Sequence, residues 1–140
     1  MTTWSRGEYL VTTDPARVDL EVVQGFLAND SYWAQGRTRD DQARANAASR
    51  CYSLIHEPTG SQVGFARAVT DGVTFAWIAD VFVVEAHRGY GLGKFLVECF
   101  TDDLTAVYRL FLGTRDAHGL YSPFGFVAGE RTERWMERLR

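Results

Sequence analysis

From Asp80 to Lys94 the chain reads Asp-Val-Phe-Val-Val-Glu-Ala-His-Arg-Gly-Tyr-Gly-Leu-Gly-Lys, and an apolar pattern at helical spacing, Phe95-Leu96-Val97-Glu98-Cys99-Phe100, follows. Glycines at 89, 91 and 93 let the backbone approach a ligand with no Cβ in the way, and their N–H groups can converge on one anion. The helix that opens next adds unpaired N–H groups and the positive end of its dipole. A phosphate or pyrophosphate suits such a turn. Two familiar phosphate motifs do not fit: Lys94 precedes Phe95, so the hydroxyl of a P-loop is missing, and Gly89-Tyr90-Gly91-Leu92-Gly93 has the wrong step for a Rossmann fingerprint. Asp80 is the second residue with chemical potential, because it stands inside an apolar run, Phe75 to Ala79 before it and Val81 to Val84 after it. A buried carboxylate must pair, take up a proton or face a cleft. Two readings follow: a general base with a raised pKa, or a structural aspartate bonded to loop N–H groups or to an arginine such as Arg67 on the neighbouring strand.

Arg88-Gly89-Tyr90-Gly91-Leu92-Gly93 directly after a strand resembles the acetyl-CoA signature of the GNAT superfamily of N-acyltransferases. A second stretch lies further on, Asp116-Ala117-His118-Gly119-Leu120-Tyr121-Ser122-Pro123-Phe124-Gly125-Phe126, and is similar to that family's later signature. The resemblance covers roughly residues 8 to 130. It implies a single N-acetyltransferase domain over 1–140, of class α/β (α+β), whose mixed, largely antiparallel sheet is flanked by helices and holds the cosubstrate between splayed strands.

The resemblance also distributes roles. Acetyl-CoA would lie against Phe82 and Val83 with its pyrophosphate on Arg88, Gly89, Tyr90, Gly91, Leu92, Gly93 and Lys94. Asp116, where many members carry asparagine, would lie near the cofactor with an acceptor in place of an NH₂ donor. Tyr121 would protonate the departing thiolate, or else pack as an aromatic beside Phe124 and Phe126. Tyr32 and Trp33, with Arg37 close by, would wall the acceptor pocket, or else cap the core. Glu85 and His87 compete with Asp80 as base, and His118 is a further acid or base candidate. The implied reaction is direct attack of a primary amine, on a small or amino-acid-like acceptor, at the thioester. Alternatives are a catalytically silent CoA-binding or protein-interaction domain, acetylation of a protein or peptide amine, and a nucleotide-phosphate-binding domain that shares the turn.

Composition narrows the partners. With 15 Lys and Arg against 18 Asp and Glu, the net charge of −3 provides no basic footprint for nucleic acid. No run approaches the length of a membrane span, and Met1 to Arg6 lacks an apolar signal core, so the expectation is a cytoplasmic protein without membrane association. Cys51 and Cys99 read as buried thiols, with neither a disulfide nor a metal site. A homodimer is one assembly open to it.

These residues need a scaffold, and the period of the chain supplies one. Glu8 to Thr13 reads as a strand, and Asp14-Pro15 as a helix start with Val18, Val22, Val23, Phe26 and Leu27 on one face, stopping at Asn29-Asp30. Thr38 caps a second, mostly solvent-facing helix to about Arg50. Strands follow at Cys51 to Glu57, Gln62 to Thr70 and Val73 to Val84, the last pair joined by a two-residue turn at Asp71-Gly72. After the helix with Leu92, Phe95, Leu96, Cys99, Phe100 and Leu104 on its core side come a strand at Arg109 to Thr114, a short helix bearing Tyr121, and a strand near Phe124 to Ala128. Arg131 to Arg140 fits either a last strand or a tail.

Overall fold

The computed structural model describes residues 1–129 and 134–140. Six strands form one sheet in sequence order: β1 (Thr3–Arg6), β2 (Tyr9–Thr12), β3 (Arg50–His56), β4 (Ser61–Thr70), β5 (Ala76–Val83) and β6 (Leu110–Phe111). The first five are antiparallel; β6 joins β5 in parallel. Helices α1 (Leu20–Asn29) and α2 (Arg39–Ala47) connect β2 to β3, α3 (Leu92–Asp103) crosses from β5 to β6, and α4 (His118–Tyr121) follows β6. The mixed, largely antiparallel sheet flanked by helices is the architecture read from the sequence.

Alternation along the strands sends side chains to two cores. Leu92, Phe95, Leu96, Cys99 and Phe100 of α3 pack with Tyr52, Leu54, Ala66, Ala68 and Ile78 on one face. On the other, Val23 and Leu27 of α1 meet Phe65 and Phe82, and the Phe26 ring stacks on Phe82 at 4.0 Å. α1 is started by Asp19, whose carboxylate accepts from the N–H groups of Glu21 and Val22. Asp14 does cap a turn with proline at its first position, but that turn is a separate 3₁₀ segment, Pro15–Arg17, and the α-helix begins only at Leu20. Thr38 caps α2, where only Gln42 is buried. Both cysteines are buried and unpaired, and desolvation raises their thiol pKa values to about 11 for Cys51 and about 12 for Cys99.

Several boundaries differ from the sequence reading. The N-terminal residues form β1, which was not anticipated. Thr70 pairs with Ala76, so 71–75 make a five-residue loop where a two-residue turn was expected. The Asp71 carboxylate accepts from the N–H groups of Val73 and Thr74 and from the Thr74 hydroxyl, which stabilises the longer loop. β6 shrinks to two residues, and Ser122–Phe124 is a 3₁₀ turn ended by Gly125 at φ 87°, with no strand following over 126–129. The alternatives for the last segment fall partly outside the described residues; 135–140 are not in a strand.

Two irregularities shape the sheet where the glycine turn begins. Between the pairs Phe65↔Phe82 and Arg67↔Ala79, β5 has one residue more than β4, and Asp80 in that bulge has φ 56°. β5 meets β6 only at Ala76 and Trp77, so beyond the bulge its outer edge is unpaired. The second irregularity is Gly64, where an added Cβ would lie 2.8 Å from Leu54 Cδ2 and 2.9 Å from the carbonyl of Phe82. Only glycine lets β4 approach β5 that closely. Gly64→Ala is expected to lower stability by about 1–3 kcal/mol, the usual range for overpacking. Urea denaturation checks this: the midpoint should fall with the slope unchanged, and an unmoved midpoint contradicts the close-packing account.

Candidate active site

The glycine turn is built as an anion cradle. Gly89 and Gly91 have φ of 89° and 72°, and a Cβ on either would meet nothing within 4 Å, so the space above them is open. Gly91 is the residue that starts α3, and the first helical hydrogen bond runs from Phe95 N–H to Gly91 O. The N–H groups of Leu92, Gly93 and Lys94 therefore find no acceptor among the described residues. The Leu92 side chain is buried in the core, so its part in the turn is backbone only; Tyr90 and Lys94 are exposed. Arg88 directs its Nε to the carbonyl of Val83 at 2.9 Å, tying the turn to the end of β5.

That carbonyl lies on the unpaired edge of β5. The N–H of Val84 bonds Val63 on β4, and the carbonyl across the same trans peptide, that of Val83, points the opposite way, into the gap. The N–H of Val83 shares that side. Phe82 has its carbonyl against Gly64 and its ring between Phe26 and Phe65, so its part in the site is to hold the strand.

On the far side of the gap, α4 packs over the first turn of α3, with Leu120 beside Gly93. The next residue, Tyr121, is buried and sets its ring edge-on to Phe126 at 5.9 Å, so the packing reading holds for the ring. The hydroxyl is a different matter. It makes no hydrogen bond, yet every fully sealed side-chain polar atom among the described residues has a partner, so this oxygen opens to solvent. Burial first, and the neighbouring Tyr32 second, push its pKa up to about 12, which keeps the phenol protonated at neutral pH.

Tyr32 begins a chain of contacts across the mouth of the gap. Its hydroxyl accepts from the N–H of Arg115 at 3.0 Å, its ring carries the Arg115 guanidinium 3.9 Å from the centroid, and Trp33 stands edge-on to it at 5.1 Å. The Trp33 indole N–H donates to Asp80 Oδ1 at 3.0 Å. Oδ2 of the same carboxylate accepts from Arg67 Nε at 2.6 Å, Arg37 at 2.8 Å and Gln42 at 3.4 Å. The Asp80 side chain is 1% exposed, against 13% for Arg67 and 25% for Arg37.

This environment has the features of the structural reading of Asp80. Desolvation alone would raise its pKa, but the hydrogen bond and charge of Arg67, with Arg37 and Trp33, outweigh it and hold the carboxyl below the usual aspartate range. The raised pKa on which a general base depended is absent, and the pairing with Arg67 is present. Of the other candidates, His87 is engaged with the Tyr9 hydroxyl at 2.8 Å, while Glu85, Asp116 and His118 are exposed and make no side-chain contact with the site.

Sequence reasoning missed three contributors. Gln42 is the one buried residue of a polar helix, Gly64 hides in a strand, and Arg115 sits between motif positions with no signal of its own. A cavity of about 580 Å³ lies elsewhere, at the paired end of β5 and β6 among Phe75, Trp77, Phe111, Trp135 and Met136.

Comparison with known proteins agrees with this geometry. The profile of the Acetyltransferase (GNAT) family matches residues 20–126, and the chain belongs to that family. A protein of Gibberella zeae described as an acetyltransferase is 30% identical over 138 residues, covering 84% of this chain and 78% of its own length. A chloroplastic GCN5-related N-acetyltransferase of Arabidopsis thaliana is 34% identical over 107 residues, covering 71% of this chain and 54% of its own. The crystal structure of a GNAT-family protein from Xanthomonas campestris superposes with TM-score 0.89 at 35% identity, covering 97% of this chain and 96% of that one.

Asp80 also sets a pH dependence. A carboxyl with a folded pKa below its unfolded value contributes stability above about pH 4, and the contribution is lost as pH falls through the folded pKa. Asp103, held low by Arg50 and Tyr52, acts in the same direction. Asp80→Asn removes the charge between two arginines and is expected to cost about 3–5 kcal/mol at pH 7, with a shallower loss on acidification than wild type. Denaturation from pH 7 to pH 3 checks it; parallel curves would contradict the pairing.

Proposed function

We propose that this protein transfers the acetyl group of acetyl-CoA to the primary amine of a small, amino-acid-like molecule by direct attack. The observation that carries the reading is the cradle at Gly89 to Lys94, open above and lined by unpaired N–H groups, next to a protonated and unpartnered Tyr121. A neighbouring fold from Clostridium acetobutylicum was crystallised with acetyl-CoA, and the family relation makes the same cosubstrate the natural guest here.

Bound acetyl-CoA supplies an activated thioester. The N–H groups of Leu92, Gly93 and Lys94 and the positive end of α3 hold its pyrophosphate. Donors on the open edge of β5, the Val83 N–H among them, orient the pantetheine arm and face the oxygen that gains charge during attack. The neutral amine attacks the thioester carbon and its surplus proton passes to solvent water, while the Tyr121 hydroxyl donates its proton to sulfur as the carbon–sulfur bond breaks and regains one from solvent; a phenol with a pKa near 12 is protonated at neutral pH. Tyr32 and Trp33 form the wall against which the acceptor lies. Asp80, ionised and saturated with donors, holds Trp33 and Arg37 in place and is a positioning residue, since a carboxylate of lowered pKa is a poor acceptor for an ammonium proton.

Tyr121→Phe should lower kcat about 10²- to 10⁴-fold while leaving the acetyl-CoA dissociation constant within twofold. Unchanged turnover at saturating substrates removes Tyr121 as the acid. Gly91→Val places a branched side chain at a left-handed position and in the open space of the cradle, and should weaken acetyl-CoA binding at least tenfold. Retained affinity in calorimetry would move the phosphate site off this turn.

A further inference from the structure

Arg115 is anchored twice to one tyrosine, through its backbone N–H to the hydroxyl and through its guanidinium to the ring face. The ring contact fixes the plane of the guanidinium. Arg6, Arg37, Arg39, Arg44, Arg50 and Arg67 each lie within 4.0 Å of a carboxylate oxygen. Arg115 has no such partner among the described residues, not even the adjacent Asp116. Arg109 is also held over a tyrosine, Tyr108, without a carboxylate, but it precedes β6 at the closed end of the gap, where its carbonyl accepts from Ala76. Arg115 lies beyond β6, away from that end, and Tyr32, which carries it, also adds to the upward shift of the Tyr121 pKa.

The local charge balance agrees. The interior behind Trp33 holds two guanidiniums, Arg37 and Arg67, against the single carboxylate of Asp80. Arg37, Arg67 and Arg115 together still outnumber the carboxylates of Asp80 and the adjacent Asp116, although the chain as a whole is at −3. A stacked guanidinium leaves its edge N–H groups directed outward as a planar fork, the geometry that matches a carboxylate or a phosphate with two parallel hydrogen bonds.

We propose that the acceptor is an anionic amine, bearing a carboxylate or phosphate monoester a few bonds from its amino group, and that Arg115 receives that anion while the amine lies toward Tyr121. The assignment rests on the amine-acetylating reading above and names its substrate class. It separates an amino acid from the amine left when its carboxylate is removed.

Three matched pairs test it: tyrosine with tyramine, ornithine with putrescine, and phosphoethanolamine with ethanolamine, each at saturating acetyl-CoA. The wild-type protein should favour the anionic member of at least one pair by tenfold or more in kcat/KM, and which pairs respond tells carboxylate from phosphate. In R115Q the preference should fall to about one, through KM, with the acetyl-CoA dissociation constant unchanged and the melting temperature lowered by no more than a few degrees; R115K should restore part of it. Equal use of both members in every pair overturns the anion assignment and leaves amine acetylation standing. A preference that survives R115Q, or a tenfold loss of acetyl-CoA affinity in R115Q, also overturns it, the latter because Arg115 would then belong to the cofactor. Turnover of none of the six amines overturns both the assignment and the reading beneath it.

Discussion

The carboxylate of Asp80 is the interaction on which the cleft depends. It occupies a left-handed backbone position in a bulge of β5, a conformation that aspartate tolerates better than most residues but that still costs energy unless the surroundings fix it. Four donors do so, from β4, from α2 and from the loop between α1 and α2. Burying a charge without them would cost several kcal/mol, so bulge and donors stabilise one another. The bulge lies beyond the short ladder to β6 and the donors pin Trp33 and Arg37 beside it, so one residue couples the opening of the sheet to the loop that carries Trp33.

The other pole is the start of α3. Burial of Leu92, Phe95 and Leu96 fixes the direction of the helix, and the glycines ahead of it leave its first N–H groups bare toward the same gap. Arg88 ties this turn to Val83, and Leu120 seats α4 on it, which delivers Tyr121 to the cleft. Positive potential at the helix start and positive excess around Arg115 both face the opening of a protein that is acidic overall.

What could be read from the chain follows from the range of the forces involved. The cradle, the face of α1 and the Tyr121 helix are local matters of spacing and backbone freedom, and they appear where the residues placed them. Asp80 was conspicuous as a charge in an apolar run, but its pKa depends on Arg37 and Arg67, which are remote in sequence, and the sign of the shift is visible only when all three are assembled. Gly64 and Gln42 are set by contacts across strands and helices, and the Asp71 loop by a side chain that outcompetes a tighter turn. β6 pairs with β5 over two residues only, which no property of Arg109 to Thr114 reveals.

The central claim is that the turn from Arg88 to Lys94 holds the phosphates of acetyl-CoA. Calorimetric titration of the purified protein with acetyl-CoA, and with ATP and NAD in parallel, tests it most directly. Saturable binding of acetyl-CoA at one site, with neither nucleotide competing, is the predicted result. Absence of binding, or a preference for ATP or NAD, would contradict it.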